Sequence, residues 1–573
     1  MKALWTLFLV IFTSCAHEPV QIFRDNFPEK TTANTSSREG KKYMVVTQGK
    51  SASKAGRQMF ELGGNAVDAA VAVSFAISVE RPQSTGLGGG GFMLLKPKNA
   101  SKPQAIDFRE KAPMKAHSKI FLDDQGKVKS RKSLDGIFAA GVPGLVAGLL
   151  DVHEKYGKLP LTAVISPAIR LAENGFPVYP ELEKALKARE NVLARYPGSK
   201  KIFFKGDRPL KKGEKLIQKD LGKSLREIAK HGRDGFYKSW VAKKIVEQSK
   251  KLGGLLEIKD FFKYKVKYRK PIYGSYRDHD IFSMPPPSSG GIHIVQILNI
   301  LEKDELSDNG SHQPRSIHLT ASAMQQAFAD RARHLGDSDF VDVPRNSLTS
   351  KSYAREVRQK ISSSKARNVD EVEAGKFKMS EKDHTTHFTI ADSEGNIVSS
   401  TQTINGYFGS GVVAEGTGIV LNNEMDDFAA DVGAKNLFGA VGGEKNLVEP
   451  GKRPLSSMSP TIVMKKNRPI MALGSPSGTR ILTCVAQMLL NKIEYEMSLW
   501  ESMRSLRYHH HWKPDSIRVE SPNFSKNIQS ELKSYGHEIV EKNLGCRVQA
   551  ISFEKGKIKG ASDPRGEGLS LGL

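Results

Sequence analysis

Residues 384–428 read HTTHFTIADSEGNIVSSTQTINGYFGSGVVAEGTGIVLNNEMDDF. From Thr386 the residues alternate in the manner of a buried strand, with Thr386, Phe388 and Ile390 on one face and His387 and Thr389 on the other. A turn at Ser393-Glu394-Gly395-Asn396 leads to a second strand, and Thr401, Thr403 and Asn405 lie along it or just beyond. Carboxylates follow at Glu424, Asp426 and Asp427. Any single Thr here is accounted for by the preference of β-branched residues for a pleated surface. The order of the parts is more specific: a Thr ahead of an apolar strand, hydroxyls on the neighbouring strand, and a carboxylate cluster beyond. It suits chemistry in which the chain is cut before a Thr or Ser, so that the freed α-amino group becomes the general base for that residue's own hydroxyl.

At 573 residues the chain exceeds one ordinary core and has room for two domains or one large sandwich. Its 39% hydrophobic and 26% charged residues are those of a soluble globular protein. The net charge of +25 is spread along the chain, with modest clusters at Lys200 and Lys201, at 211–215 and at 263–269. No basic module interleaved with aromatics is present, so a nucleic-acid function is not expected. The charge reads as a basic solvated face that favours anionic surfaces or substrates.

Met1-Lys2 is a short positive start, residues 4–12 a brief apolar stretch, and Thr13-Ser14-Cys15 an end of small residues. This is the layout of a secretion signal, too short to span a bilayer as a permanent helix. The ending Phe-Thr-Ser-Cys resembles a bacterial lipoprotein box, with Phe12 where Leu is usual. It points to an exported, periplasmic protein anchored to a membrane through lipidated Cys15, with plain signal cleavage as the alternative. Residues 16–42, rich in Thr, Ser and Lys, read as a tether. Cys484 and Cys546 remain; their spacing does not decide whether they pair. Cys484, inside the apolar run ILTCVAQMLL, reads rather as a small core residue.

The body opens on a strand near residues 42–46, followed by helices over 52–62 and 66–79. Gly63-Gly64 separates them as a C-cap and Asn65 as an N-cap. The second helix is apolar nearly all round and is expected to be buried. In STGLGGGGFMLL, residues 84–95, the letters of a dinucleotide fingerprint occur at Gly86, Gly88 and Gly91. A helix precedes and a strand follows, the reverse of what that fingerprint requires, so these glycines read as tight backbone packing. The next strand ends at Asp107-Phe108-Arg109-Glu110. An Arg bracketed by carboxylates reads first as a salt-bridged surface residue, with a binding role left open. Residues 144–253 are helical in pattern, and PPPSSGG at 285–291 is a rigid loop launching a helix over 292–301. Residues 303–315 and 361–382 read as exposed loops, the second leading to Thr385 as a processing site requires. The hairpin TIVMKKNRPIMAL precedes Gly474-Ser475-Pro476-Ser477-Gly478, which opens a long helix whose first amides can hold an anion. His509-His510-His511 is not read as a metal site, because adjacent residues do not share a helix face and no second ligand set is suitably spaced.

The ordered blocks GGNAVDAAVA, PQSTGLGGGGFMLL, DFREKAP, PPPSSGGIHIVQILNILE, HTTHFTIAD, LNNEMDDF, RPLSSMSPTIV and GASDPR closely resemble the γ-glutamyltranspeptidase family from Tyr43 to the C-terminus. The resemblance implies an α+β fold, the four-layer αββα sandwich of the N-terminal nucleophile hydrolases. It also implies self-cleavage of one precursor between His384 and Thr385. The products are a large subunit, 43–384, and a small catalytic subunit, 385–573, that stay together as a heterodimer, after a signal over 1–15 and a tether over 16–42. Carried over, Thr385 is the nucleophile, Thr403 orients it, and the backbone amides of Ser477 and Gly478 form the oxyanion hole. Arg109, Ser456 and Ser457 hold the substrate α-carboxylate, which replaces the salt-bridge reading of Arg109, and Asn405, Glu424 and Asp427 hold the α-amino group. Ser477 stands where the family usually has Gly. Phe438, in a glycine-rich stretch matching a lid, stands where several members have Tyr. The activity implied is glutathione hydrolysis and γ-glutamyl transfer to amino acids or peptides, with no metal or organic cofactor. Two rivals are an acylase for another amide, such as a β-lactam side chain or poly-γ-glutamate, and a catalytically inactive surface lipoprotein that binds.

Overall fold

The computed structural model describes residues 37–375, 386–431, 434, 437 and 443–573. Cys15, His384, Thr385 and Phe438 lie outside the described residues, as do the signal and most of the tether.

Two seven-stranded antiparallel sheets carry the architecture. The first runs in the order Leu569–Gly572, Tyr43–Thr47, Thr386–Asp392, Ile397–Thr403, Gly90–Lys96, Gln104–Phe108, Lys267–Arg269. The second runs Ser37–Gly40, Lys557–Ser562, Gln549–Glu554, Arg468–Gly474, Thr461–Lys465, His279–Ser283, Ile272–Tyr276. They meet face to face where Thr386–Asp392 packs on Gln549–Glu554 and Arg468–Gly474. Both faces of the central strands are therefore inside, which is why every residue of Thr386–Asp392 is buried despite its alternating chemistry. Phe388 and Ile390 join the large apolar core on the helix side. Thr389 instead donates to the Gln549 carbonyl of the facing sheet at 3.0 Å.

Helices close both outer faces. Helix Ala66–Glu80 lies on the first sheet with all of its residues buried, and helix Lys50–Glu61 packs against it. Their junction follows local rules. The Gly63 and Gly64 amides donate to Phe60 and Met59 at 3.1 and 2.9 Å, with Gly63 at φ +85°, the pattern of a Schellman end. The Asn65 side chain accepts the amides of Val67 and Asp68 at 2.8 and 3.1 Å. The Asp68 carboxylate returns the contact to the Asn65 amide at 2.9 Å. On the second sheet lie Gly290–Leu301 and Arg480–Ile493, with Pro314–His334 packed on the first of these. The layers are thus helix, sheet, sheet, helix, the αββα sandwich, and the described residues form one compact unit.

Some boundaries differ from expectation. The loop expected over 303–315 is cut short because Pro314 starts a 21-residue helix, where its fixed φ and missing N–H cost nothing. Within 144–253 the helices are interrupted by short strand pairs, Phe176–Pro177 with Lys215–Leu216 and Phe204–Lys205 with Arg208–Pro209. Among the described residues no helix is long and apolar enough to cross a membrane.

Candidate active site

The glycine run brings three segments into backbone contact. Gly90 stands opposite Thr403 in the first sheet. A Cβ added at Gly89 would lie 1.9 Å from the Thr403 carbonyl oxygen, and one at Gly88 would lie 2.2 Å from that of Val420. Only glycine permits this approach. It sets Thr403 at the end of its strand, where Oγ1 accepts the Asn405 amide at 2.7 Å. Asn405 takes φ +69°, a conformation Asn tolerates better than most residues. Its Nδ2 donates to the Asn423 carbonyl at 2.9 Å, while its buried Oδ1 has no hydrogen-bond partner among the described residues.

Asn423 leads into the 3₁₀ turn Glu424–Asp427, and this turn meets Arg109. Arg109 is fully buried. Its Nη1 pairs with Glu424 Oε1, its Nη2 pairs with Asp427 Oδ2, and its Nε donates to the Pro454 carbonyl at 3.2 Å. The surface reading of Arg109 is therefore corrected. It is salt-bridged, but to carboxylates 315 and 318 residues away and out of solvent. Glu110 Oε2 lies 3.8 Å from the same guanidinium. Burial outweighs that attraction and pushes the Glu110 carboxyl up to about 7.

Ser456 and Ser457 lie against the PPPSSGG loop. The Ser289 amide donates to the Ser456 carbonyl at 2.6 Å, and the Ser456 amide to Pro287 at 2.7 Å. Buried Arg331, from helix Pro314–His334, donates through Nε to Ser289 Oγ at 2.7 Å and through Nη2 to Ser457 Oγ. Sequence reasoning missed Arg331. Its partner is 126 residues away, and the one signal was a charged pair, Asp330-Arg331, directly after the apolar Ala327-Phe328-Ala329.

Ser477 and Gly478 follow with φ of +119° and +60°. Among the described residues neither of their amides donates to another group, so both remain available as donors. A side chain at φ +119° is strained, and Ser477 is held there by its hydroxyl. Oγ donates to the Leu544 carbonyl at 2.8 Å and accepts from Arg480 Nε and Nη2 at 3.3 Å each. The Leu544 loop is itself fastened by a disulfide between Cys484 and Cys546, Cα atoms 6.6 Å apart. The reading of Cys484 as only a small core residue is thereby corrected: it is buried and bonded.

Of these parts, Asn405, Asn423 and Ser477 line a cavity of about 610 Å³, together with Gln48 and Pro476, and Glu424 of the Arg109 cluster follows Asn423 directly in the chain. Thr386 Oγ1 donates to Gln48 Oε1, which ties the head of its strand to the cavity wall. His387 turns away. Its ring nitrogens contact Thr401 and Thr389 hydroxyls at 2.9 and 3.0 Å, and burial brings its pKa down to about 3. It is a neutral group between the sheets and no candidate base. The rings of His509 and His511 pack edgewise on Phe328, with centroids 5.4 and 4.7 Å away. Among the described residues no group of three ligand-type side chains is placed to hold a metal.

Residues 52–573 match the family described as Gamma-glutamyltranspeptidase. The chain belongs to this family. A γ-glutamyltranspeptidase-family relative, the glutathione hydrolase proenzyme of Escherichia coli (strain K12), is 46% identical over 527 residues, covering 92% of this chain and 90% of its own. Among solved structures, cephalosporin acylase from Bacillus halodurans superposes with a TM-score of 0.84 at 27% identity, covering 97% of this chain and 99% of that one. A chain of Helicobacter pylori γ-glutamyltranspeptidase gives 0.56 at 44% identity, covering 57% of this chain and 93% of its own. The fold is that of the N-terminal nucleophile hydrolases. Within this γ-glutamyltranspeptidase frame, Arg109, Glu424 and Asp427 form one cluster, joined to Asn405 and Thr403 through Asn423. Ser457 is held by Arg331, Ser456 by the backbone of the PPPSSGG loop, and Ser477 stands at the cavity wall.

Proposed function

We propose that this chain cleaves γ-glutamyl amides, glutathione among them, through a γ-glutamyl ester on Thr385, and passes the glutamyl group to water or to an amino-acid or peptide amine. One observation carries the reading: a buried guanidinium clamped between two buried carboxylates, on the turn that follows Asn423 of the cavity wall. A free γ-glutamyl end is a zwitterion. Its α-carboxylate calls for a guanidinium and hydroxyl donors, and its α-ammonium calls for carboxylates and an amide oxygen. Arg109 with Ser456 and Ser457 supplies the first set; Glu424, Asp427 and Asn405 Oδ1, which has no partner among the described residues, supply the second. Because the protein's own charged groups are already paired with one another, a bound zwitterion exchanges internal pairs for pairs to substrate and adds no net charge. The same set favours a free γ-glutamyl end over the side chain of a β-lactam, and it argues against an inactive binding module.

In maturation, Thr385 Oγ attacks the carbonyl carbon of His384, the peptide C–N bond breaks, and water hydrolyses the resulting ester. This leaves a large subunit that ends at His384 and includes strand Ser37–Gly40 of the second sheet, and a small subunit, 385–573, whose first residue carries a free amine. That amine, with a reference pKa of about 7.7–8.0, takes the hydroxyl proton as Oγ attacks the γ-carbonyl. Thr403 orients the hydroxyl. The amides of Ser477 and Gly478 hold the oxyanion, each contributing roughly 2.7–4 kcal/mol by comparison with other such donors. The C–N bond breaks, the proton passes to the departing amine, and water or a second amine releases the glutamyl group. These steps draw on protein groups and substrate alone. The layout of residues 1–15 supports export to the periplasm and a lipid on Cys15; fatty-acid labelling that persists in Cys15→Ser would remove the anchor.

Thr385→Ala is expected to leave one full-length band and no turnover of a γ-glutamyl anilide. The unaltered protein gives two bands, the smaller beginning at Thr385. A single unbroken chain with normal turnover would overturn the reading.

A further inference from the structure

Four of the guanidinium groups around the cavity share two carboxylates. Glu181 pairs with Arg81 at 2.8 Å and lies 3.8 Å from Arg547. Asp135 pairs with Arg131 and Arg189 at 2.6 and 2.7 Å. Three more cations line the same cavity, Arg480, Arg518 and Lys542, and among the described residues none of them has a carboxylate partner. Arg480 and Arg518 are both partly buried, and Arg518 sits on the short strand Ile517–Val519. The side-chain donors of Arg480 that find a protein acceptor, Nε and Nη2, share the single oxygen of Ser477, which leaves Nη1 uncommitted. Burial, helped by the charge of Arg518, brings Arg480 down to about 10, and burial also lowers Arg518. Like charges in a half-desolvated wall disfavour one another, and an anion set between them relieves both.

We propose that Arg480 and Arg518, with Lys542 at the rim, form an anion subsite for a carboxylate on the leaving-group side of the scissile amide. This rests on the reading above, in which the Ser477 and Gly478 amides face the reacting carbonyl. The charges of the glutamyl end are already matched by the Arg109 cluster. In a γ-glutamyl peptide the one unmatched charge is the C-terminal carboxylate of the departing peptide, and the unpaired cations adjoin the turn across which it departs. The subsite therefore selects leaving groups that carry a carboxylate over neutral amines. Ser477, where glycine is usual, is part of the device, because its hydroxyl holds Arg480 in place.

The test compares the processed enzyme on γ-glutamyl-3-carboxy-4-nitroanilide and γ-glutamyl-4-nitroanilide. Arg518→Gln is expected to lower the ratio of kcat/KM for the carboxylated over the neutral anilide about tenfold, mostly through KM, with partial return in Arg518→Lys. In the unaltered enzyme, added salt should raise KM for the carboxylated anilide and leave that for the neutral one nearly constant, a readout that needs no variant. If both anilides turn over and neither salt nor Arg518→Gln changes their ratio, the subsite is wrong while the γ-glutamyl reading stands. If the unaltered enzyme turns over neither anilide, both fall together.

Discussion

Glu110 shows how one buried group beside an ion cluster makes stability depend on pH. Burial holds its folded-state pKa above the ordinary carboxylate value of about 4.5, up to about 7. Between those values the folded chain keeps a proton that the unfolded chain has lost, so stability falls as pH rises through the interval and the loss is complete above it. Glu110→Gln mimics the protonated form and removes this dependence. Melting curves should show the unaltered protein losing a few degrees relative to Glu110→Gln between pH 5 and pH 8; parallel behaviour over that range would mean Glu110 is ionised throughout. At this scale the sequence was partly legible. Asp107-Phe108-Arg109-Glu110 advertised a charged site, and the family blocks pointed to Arg109. That Glu424 and Asp427 close on that guanidinium follows from packing across more than 300 residues, which no local preference encodes.

Among the elements, the glycine run is where a single methyl group decides most. Gly89→Ala sets a Cβ against the Thr403 carbonyl and so pushes on the strand end that carries Thr403 and Asn405. A cost of about 1–3 kcal/mol or more is expected from such overpacking. Gly86→Ala is the control, since its Cβ would meet only Ile404 Cγ2 at 3.8 Å, an ordinary contact. The first variant should lower Tm and anilide turnover together while the second leaves both near normal. Equal behaviour would place the constraint elsewhere. The elements themselves were readable because their signals are local: Asn65 caps its helix, Gly63 ends the one before, and Lys466-Asn467 turns the hairpin at φ +49° and +60°. The link between Cys484 and Cys546 was not readable, since 62 positions separate residues that meet only when helix Arg480–Ile493 docks beside the Leu544 loop.

For the molecule as a whole, the strands on either side of the 384–385 bond are interleaved. In the first sheet Tyr43–Thr47 lies between Leu569–Gly572 and Thr386–Asp392, and Ile397–Thr403 borders Gly90–Lys96. In the second, Thr461–Lys465 borders His279–Ser283. Separating the two products would break ladders in both sheets and expose the inter-sheet core. They are expected to run as one particle in native size exclusion and to part only under denaturant; independent elution after cleavage would contradict this topology. The sequence by itself determined the order of elements, their caps and turns, the family, and the short list of polar residues able to do the chemistry, because those signals depend on residues within a few positions of one another. Only the tertiary structure decided that Arg109 is locked by two distant carboxylates, that Arg331 positions Ser457, that the two cysteines join, and that three cavity cations have no carboxylate partner among the described residues. Contacts of that kind form when sheets and helices stack, and their energies depend on which charges are brought out of water together.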